Sequence, residues 1–210
     1  MRITKIEVQK NRSNYFNLYS KDDTFLFSVT EETLLHFSLR KDQDLSNSEL
    51  KEIRHHDTCM RCVYQAYRYI SRRPHLENEL KRKLRQKQFS EEVVDQAIAY
   101  LQNKNYLDDP SFITAFIDEQ INLKKSGPQL IRKKLFEKGA ASQVVDSTVE
   151  EIYNEDRQLD NALILFDKKS KHLTGLDPKK LKEKMFRFLQ QRGYTWPVIE
   201  RVFNDRLTED

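Results

Sequence analysis

Apolar positions change their spacing at about residue 58. Ahead of it lie short clusters: Ile3, Ile6 and Val8; then Tyr15, Phe16, Leu18 and Tyr19; then Phe25, Phe27 and Val29. Polar stretches at residues 11–14 and 21–23 separate them. β-Branched and aromatic residues between polar turns predict a small antiparallel sheet. Two or three strands are marginal alone, so helices over residues 31–39 and 50–56, the second capped by Ser46 or Ser48, are expected to cover it.

From residue 58 the spacing is helical and it repeats. Leu80, Leu84, Phe89, Val93, Val94, Ile98 and Leu101 reappear 51 positions on as Ile131, Leu135, Ala140, Val144, Val145, Val149 and Ile152. A third copy, offset by a further 54, has Met185, Leu189, Tyr194, Val198, Ile199 and Phe203. Each copy predicts a helix ending at Gln88, Gly139 or Gly193 and a second opening at Ser90, Ser142 or Thr195. Another amphipathic helix precedes each pair, over residues 62–70, 112–123 and 159–166. The expected fold is mainly α: an elongated tandem array of three three-helix repeats behind a small N-terminal antiparallel β-sheet with its helix. Its boundaries are expected at 1–57, 58–107, 108–154 and 155–210. A 50-residue unit leaves apolar surface bare if isolated, so neighbouring units should adjoin.

Composition agrees with helices: 33% of residues are charged, against four glycines and five prolines in 210. The first residues, Met1 to Lys5, lack the apolar core of a secretion signal, and no stretch reaches the roughly 18 apolar residues of a membrane span. Two cysteines are too few for a disulfide framework. A soluble, cytoplasmic protein is expected.

The formal net charge of +4 hides an alternation. Residues 71–89 carry seven basic and two acidic side chains, 90–121 one against seven, 122–138 six against one, and 140–160 one against six. Basic charge thus falls on the middle helix of each unit and its approach. Its densest points are Lys81, Arg82 and Lys83 between Leu80 and Leu84, and Arg132, Lys133 and Lys134 between Ile131 and Leu135. With the i and i+4 apolar residues inward, the three between should fan over the outward face. Like charges gathered there repel unless an anionic partner relieves them, and clustered Lys and Arg are what phosphate contact requires. The candidate surface comprises these six with Arg72, Arg73, Arg85, Lys124 and Lys125. Phosphates and an acidic protein groove fit it equally.

Three segments resemble the RecX family, regulators of the bacterial RecA recombinase. They are Tyr69-Ile-Ser-Arg-Arg73 with Glu79-Leu-Lys-Arg-Lys-Leu84, Asn105-Tyr-Leu-Asp-Asp-Pro-Ser-Phe112, and Ile131-Arg-Lys-Lys-Leu-Phe-Glu-Lys-Gly139. The resemblance spans nearly the whole chain. It implies a curved helical array lying, as a monomer, in the groove of the RecA filament on single-stranded DNA and restraining ATP hydrolysis and strand exchange during recombinational repair and the SOS response. The chain departs from the family pattern at Gln88, where glycine is common, and in the third unit, which keeps only Arg187 between Met185 and Leu189. The N-terminal sheet looks like the extension of longer members and has no assigned function. The alternative is a helical module that binds single- or double-stranded DNA, or RNA, directly.

Enzymatic chemistry has no candidate constellation, and no cofactor or metal is expected. His55, His56, Cys59 and Cys62 lie close together, but a structural zinc site wants a second ligand pair elsewhere; the cysteines read as small core residues and the histidines as surface or hinge positions. Asp108 and Asp109, ahead of Pro110, read as a helix start rather than paired catalytic carboxylates. Trp196, Tyr64, Tyr67, Tyr69, Tyr100 and Tyr106 could stack on bases, but aromatics at helical spacing are more often core.

Overall fold

The structure, a computed structural model, describes residues 1–207. Three strands come first: β1 (Lys5–Gln9), β2 (Arg12–Tyr19) and β3 (Phe25–Thr30). Ten helices follow: α1 (Glu31–His36), α2 (Asn47–Ile70), α3 (Glu77–Arg85), α4 (Glu91–Asn103), α5 (Asp109–Asn122), α6 (Pro128–Glu137), α7 (Ser142–Ile152), α8 (Glu155–Ser170), α9 (Pro178–Gln191) and α10 (Trp196–Leu207). They form two compact units, one of residues 1–75 and 80–107, the other of residues 76–79 and those from 108 onward.

In the first unit the strands form an antiparallel sheet in the order β1-β2-β3, with Leu18 opposite Ile6 on one side and Phe27 on the other. Alternation along β2 buries Leu18, which joins Ile3, Val29, Leu39, Leu45 and Ile53 in one core. The two helical stretches expected at residues 50–56 and 62–70 are one helix of 24 residues. A capping box starts it: the Ser46 side chain accepts from the Glu49 N–H while the Glu49 carboxylate accepts from the Ser46 N–H. With no Gly or Pro between them, nothing ends it before Ser71.

This long helix serves two cores. Ile53 covers the sheet, whereas Cys59, Cys62, Val63 and Ala66 pack with Leu80 and Leu84 of α3 and Val94, Ile98 and Leu101 of α4. Buried Asp57 lies between the two stretches and accepts from the Thr30 N–H and from Arg61 Nε, both at 2.6 Å. Arg61 also donates to the Ser28 carbonyl, so β3 is tied to α2 by a hydrogen-bonded ion pair.

In the second unit, Ile113, Ile117, Ile121, Ile131, Leu135, Val145 and Val149 form the core of α5, α6 and α7. Phe166, Met185, Leu189, Tyr194, Ile199 and Phe203 belong to that of α8, α9 and α10. A buried polar chain connects these two groups. Tyr194 donates its hydroxyl to the Lys125 carbonyl at 2.9 Å, lies 3.3 Å from the Tyr153 hydroxyl, and Asn161 bridges Tyr153 to the Ile121 carbonyl. Burial raises the pKa of both the Tyr153 and the Tyr194 hydroxyl, Tyr194 more strongly, so both stay neutral donors and acceptors.

The helix ends at Gln88, Gly139 and Gly193 share a left-handed backbone, with φ of 66°, 92° and 88°. Gln88 takes this conformation against its side chain's preference, which costs roughly 1 kcal/mol. Because Gln88 is exposed, Gln88→Gly should stabilise the first unit by about 0.5–1 kcal/mol, read as a raised denaturation midpoint at unchanged m-value.

Candidate functional site

Helix α3 turns Leu80 and Leu84 inward, but the three cations between them do not fan out together. Lys81 reaches back to Asp95 of α4 at 2.9 Å, leaving 21% of its side chain exposed. Lys83 lies over the Tyr69 ring, with Nζ 2.7 Å from His75 Nε2. His75 Nδ1 is 2.8 Å from the Arg73 carbonyl, which only accepts, so the proton is on Nδ1 and Nε2 accepts from Lys83. Arg82 alone of the triplet is exposed. Arg85 pairs with Glu91 at 2.7 Å, and Arg72 and Arg73 are exposed past the end of α2.

Helix α6 repeats the arrangement. Arg132 reaches Asp146 of α7 at 2.7 Å and Glu150 at 3.5 Å. Lys134 donates to Gln120 of α5 at 2.7 Å, and Lys133 is exposed. Partial burial, and then the positive charges of Arg192 and Lys124, hold the Lys134 ammonium below the ordinary lysine pKa. Lys125, half-buried with a φ of 51°, offers its carbonyl to Tyr194.

The two braces are equivalent under the repeat. Lys81 and Arg132 are 51 positions apart, and so are Asp95 and Asp146. A further 54 positions on, the brace is replaced by apolar packing: Phe186 stands where the cation was and meets Trp196 edge-on at 5.8 Å. The middle position does persist. Arg82, Lys133 and Arg187 are equivalent residues of α3, α6 and α9, all basic and all exposed. In the triplets, then, the flanking cations are half-buried against partners of their own units, and the middle position is the exposed one in every repeat. Sequence reasoning missed the second half of this pattern, although the basic residue at position 187 signals it.

The other residues singled out in the sequence serve structure. Cys59 and Cys62 are buried, and burial pushes the Cys62 thiol up to about 12. His56 stacks on His36 at 4.4 Å and lies 2.9 Å from the Thr33 hydroxyl. Asp108 caps α5 by accepting from the Ser111 N–H at 3.0 Å, and Asp109 accepts from the Glu77 N–H at 3.0 Å. Among the described residues no group of three or more His, Cys, Asp or Glu is placed to hold a metal, and no helix is long and apolar enough to cross a membrane.

Comparison with known proteins matches three family models: the regulatory protein RecX N-terminal domain over residues 1–46, the RecX first three-helix domain over 62–101 and the RecX third three-helix domain over 155–203. Regulatory protein RecX of Clostridium botulinum is 30% identical over 208 residues, covering 98% of this chain and 96% of that protein. Its counterpart in Clostridioides difficile is 29% identical over 208 residues, covering 99% and 97%. A crystal structure of regulatory protein RecX superposes with a TM-score of 0.77 at 25% identity over 97% of this chain and 98% of that one. RecX from Lactobacillus salivarius shares the fold over 71% of this chain and 96% of its own, with a TM-score of 0.64 at 18% identity. Near-full-length similarity, models matched at both ends and the repeated helical groups together place the chain in the RecX family of regulatory proteins.

Proposed function

We propose that the chain is a non-enzymatic modulator of the RecA recombinase. It binds the filament that the recombinase forms on single-stranded DNA and restrains ATP hydrolysis and strand exchange, acting as a cytoplasmic monomer. The observation that carries this reading is the outward cation recurring in each repeat, at Arg82, Lys133 and Arg187. A filament carrying acidic or phosphate groups along its length offers each of these cations a counter-charge, and regulation then follows from occupancy. Arg72, Arg73 and Lys124, also exposed, add to the same charge, whereas Lys81, Lys83, Arg85, Arg132 and Lys134 hold the helices that present it. Lys125 contributes through its backbone.

The test is a titration of the chain into recombinase on single-stranded DNA, following ATP turnover and co-sedimentation with filaments. Turnover should fall as the chain enters the pellet. Unchanged turnover at a several-fold excess of chain overturns the reading. Retention on bare DNA with no co-sedimentation on filaments and no fall in turnover would point to the direct nucleic-acid module instead.

A further inference from the structure

The first unit holds a cationic cleft outside the two triplets. Arg12, Asn14, Tyr64, Gln65, Arg68 and Phe89, from β2, α2 and the loop ahead of α4, line an open cleft of about 460 Å³. A depression of about 180 Å³ shares Gln65 and Arg68 with it and adds Tyr69, Arg72 and Lys87. The two form one track.

Its cations are arranged unlike the braced ones. Arg61, Gln65, Arg68 and Arg72 recur at spacings of four, three and four, which keeps them on one face of α2 and its extension. Arg61 is committed to Asp57 and Ser28 and lies 5.0 Å from the Tyr15 ring centre. Arg12 lies over the same ring at 5.3 Å, so part of its ordering is already in place before any ligand arrives. Among the described residues, the side chains of Arg12, Arg68, Arg72 and Lys87 form no ion pair with a carboxylate. Four cations along one track repel each other, whereas Lys81, Arg85 and Arg132 each face a carboxylate of their own unit.

The remaining lining is aromatic and neutral. Tyr64 is fixed by donating its hydroxyl to Glu32, Phe89 is half-buried, and Asn14 and Gln65 offer amides. An acidic peptide would be served by the cations alone. Cations along a track, ring surface and neutral amides together match single-stranded nucleic acid, whose phosphates, base faces and base edges use all three.

We propose that this cleft binds a short run of single-stranded nucleic acid, with phosphates on Arg12, Arg68, Arg72 and Lys87 and a base against Tyr64 and Phe89. The site gives the N-terminal sheet a function, because β2 supplies Arg12, Asn14 and Tyr15. It shares only Arg72 with the surface assigned to the filament, and it is measured without recombinase.

The experiment uses the full chain and a fluorescently labelled oligo(dT), with an oligo-glutamate peptide of matching charge as the second probe, across a salt series. Arg12→Ala, Arg68→Ala and Arg72→Ala are combined in one variant. Since each single-strand phosphate contact contributes about 0.7 to the slope of log K against log salt, the variant should lose about 2 from that slope. A photoreactive thymine analogue in the oligonucleotide should cross-link to Tyr64 or Phe89. Absence of oligonucleotide binding by the unaltered chain, an unchanged slope in the variant, or equal binding of the peptide with no cross-link at either ring overturns the proposal. Far-UV circular dichroism of the variant should match the parent, since all three arginines are exposed.

Discussion

Gly193→Ala should destabilise the second unit by more than about 3 kcal/mol, in the upper tail of single substitutions. Two independent causes add. The backbone at Gly193 has a φ of 88°, a left-handed conformation that costs a residue with a Cβ roughly 1 kcal/mol. A Cβ there would also stand within 2.5 Å of the Leu130 Cβ and closer still to the Leu130 backbone nitrogen. Relief requires the start of α6 to move, and that start is fixed by the Gly127 N–H to the Arg192 carbonyl at 2.7 Å and the Gln129 N–H to the Gly193 carbonyl at 3.1 Å. Moving it also disturbs the Tyr194 hydroxyl at the Lys125 carbonyl. Gly127→Ala separates the causes: its φ of −74° is ordinary, yet its Cβ would stand 2.5 Å from the Gly193 carbonyl oxygen. It should therefore show the steric part alone. Equilibrium denaturation of the two variants checks this, and a Gly193→Ala loss below about 1 kcal/mol would sink the close-approach account.

The same glycine shows how the fold is legible in the sequence. Position 193 aligns with Gly139 and Gln88, and that alignment predicts three helix ends which the shared left-handed backbone confirms. Apolar spacing also predicts the strands and the second and third helices of each repeat, since each of those elements buries one stripe against one core. It fails on α2. Ile53 faces the sheet core and Cys62, Val63 and Ala66 face the next, so a single helix presents two stripes and reads as two. The pair of buried Asp57 and half-buried Arg61 deepens the illusion, because a charged stretch between apolar ones resembles a linker until its hydrogen bonds to β3 are seen.

For the site, charge is legible and direction is not. Lys81, Arg82 and Lys83 are equal as letters. Their fates are set by α4, which brings Asp95 to Lys81, and by His75, which receives Lys83. The interval of 14 residues from cation to carboxylate is the same for Arg132 and Asp146, so the brace is a property of the repeated helix pair. Periodicity along one helix cannot show that. The cleft at Arg12 and Arg68 is hidden for a related reason: it joins a strand to a helix face about 50 residues away.

Arg82→Glu, Lys133→Glu and Arg187→Glu, combined, should abolish inhibition of strand exchange while the melting transition stays within a few degrees of the parent. The alternative of reversing all six triplet residues confounds two effects. Glutamate at 81 or 132 would face Asp95, or Asp146 and Glu150, and turn a brace into repulsion inside the unit. Glutamate at 134 would take away the ammonium that Gln120 accepts from. The three middle positions are exposed, and reversal there leaves the Lys81–Asp95 and Arg132–Asp146 braces in place. At about 1.5–3 kcal/mol for each charge-assisted hydrogen bond to the partner, removing three of them amounts to roughly a thousandfold or larger rise in the concentration needed for half-maximal inhibition. Arg187→Glu alone shows whether the third repeat takes part, and should produce about a tenfold rise. Triple-variant inhibition at the parent's concentration, with the fold intact, would remove the outward cations from the mechanism and leave the braced residues as structure only.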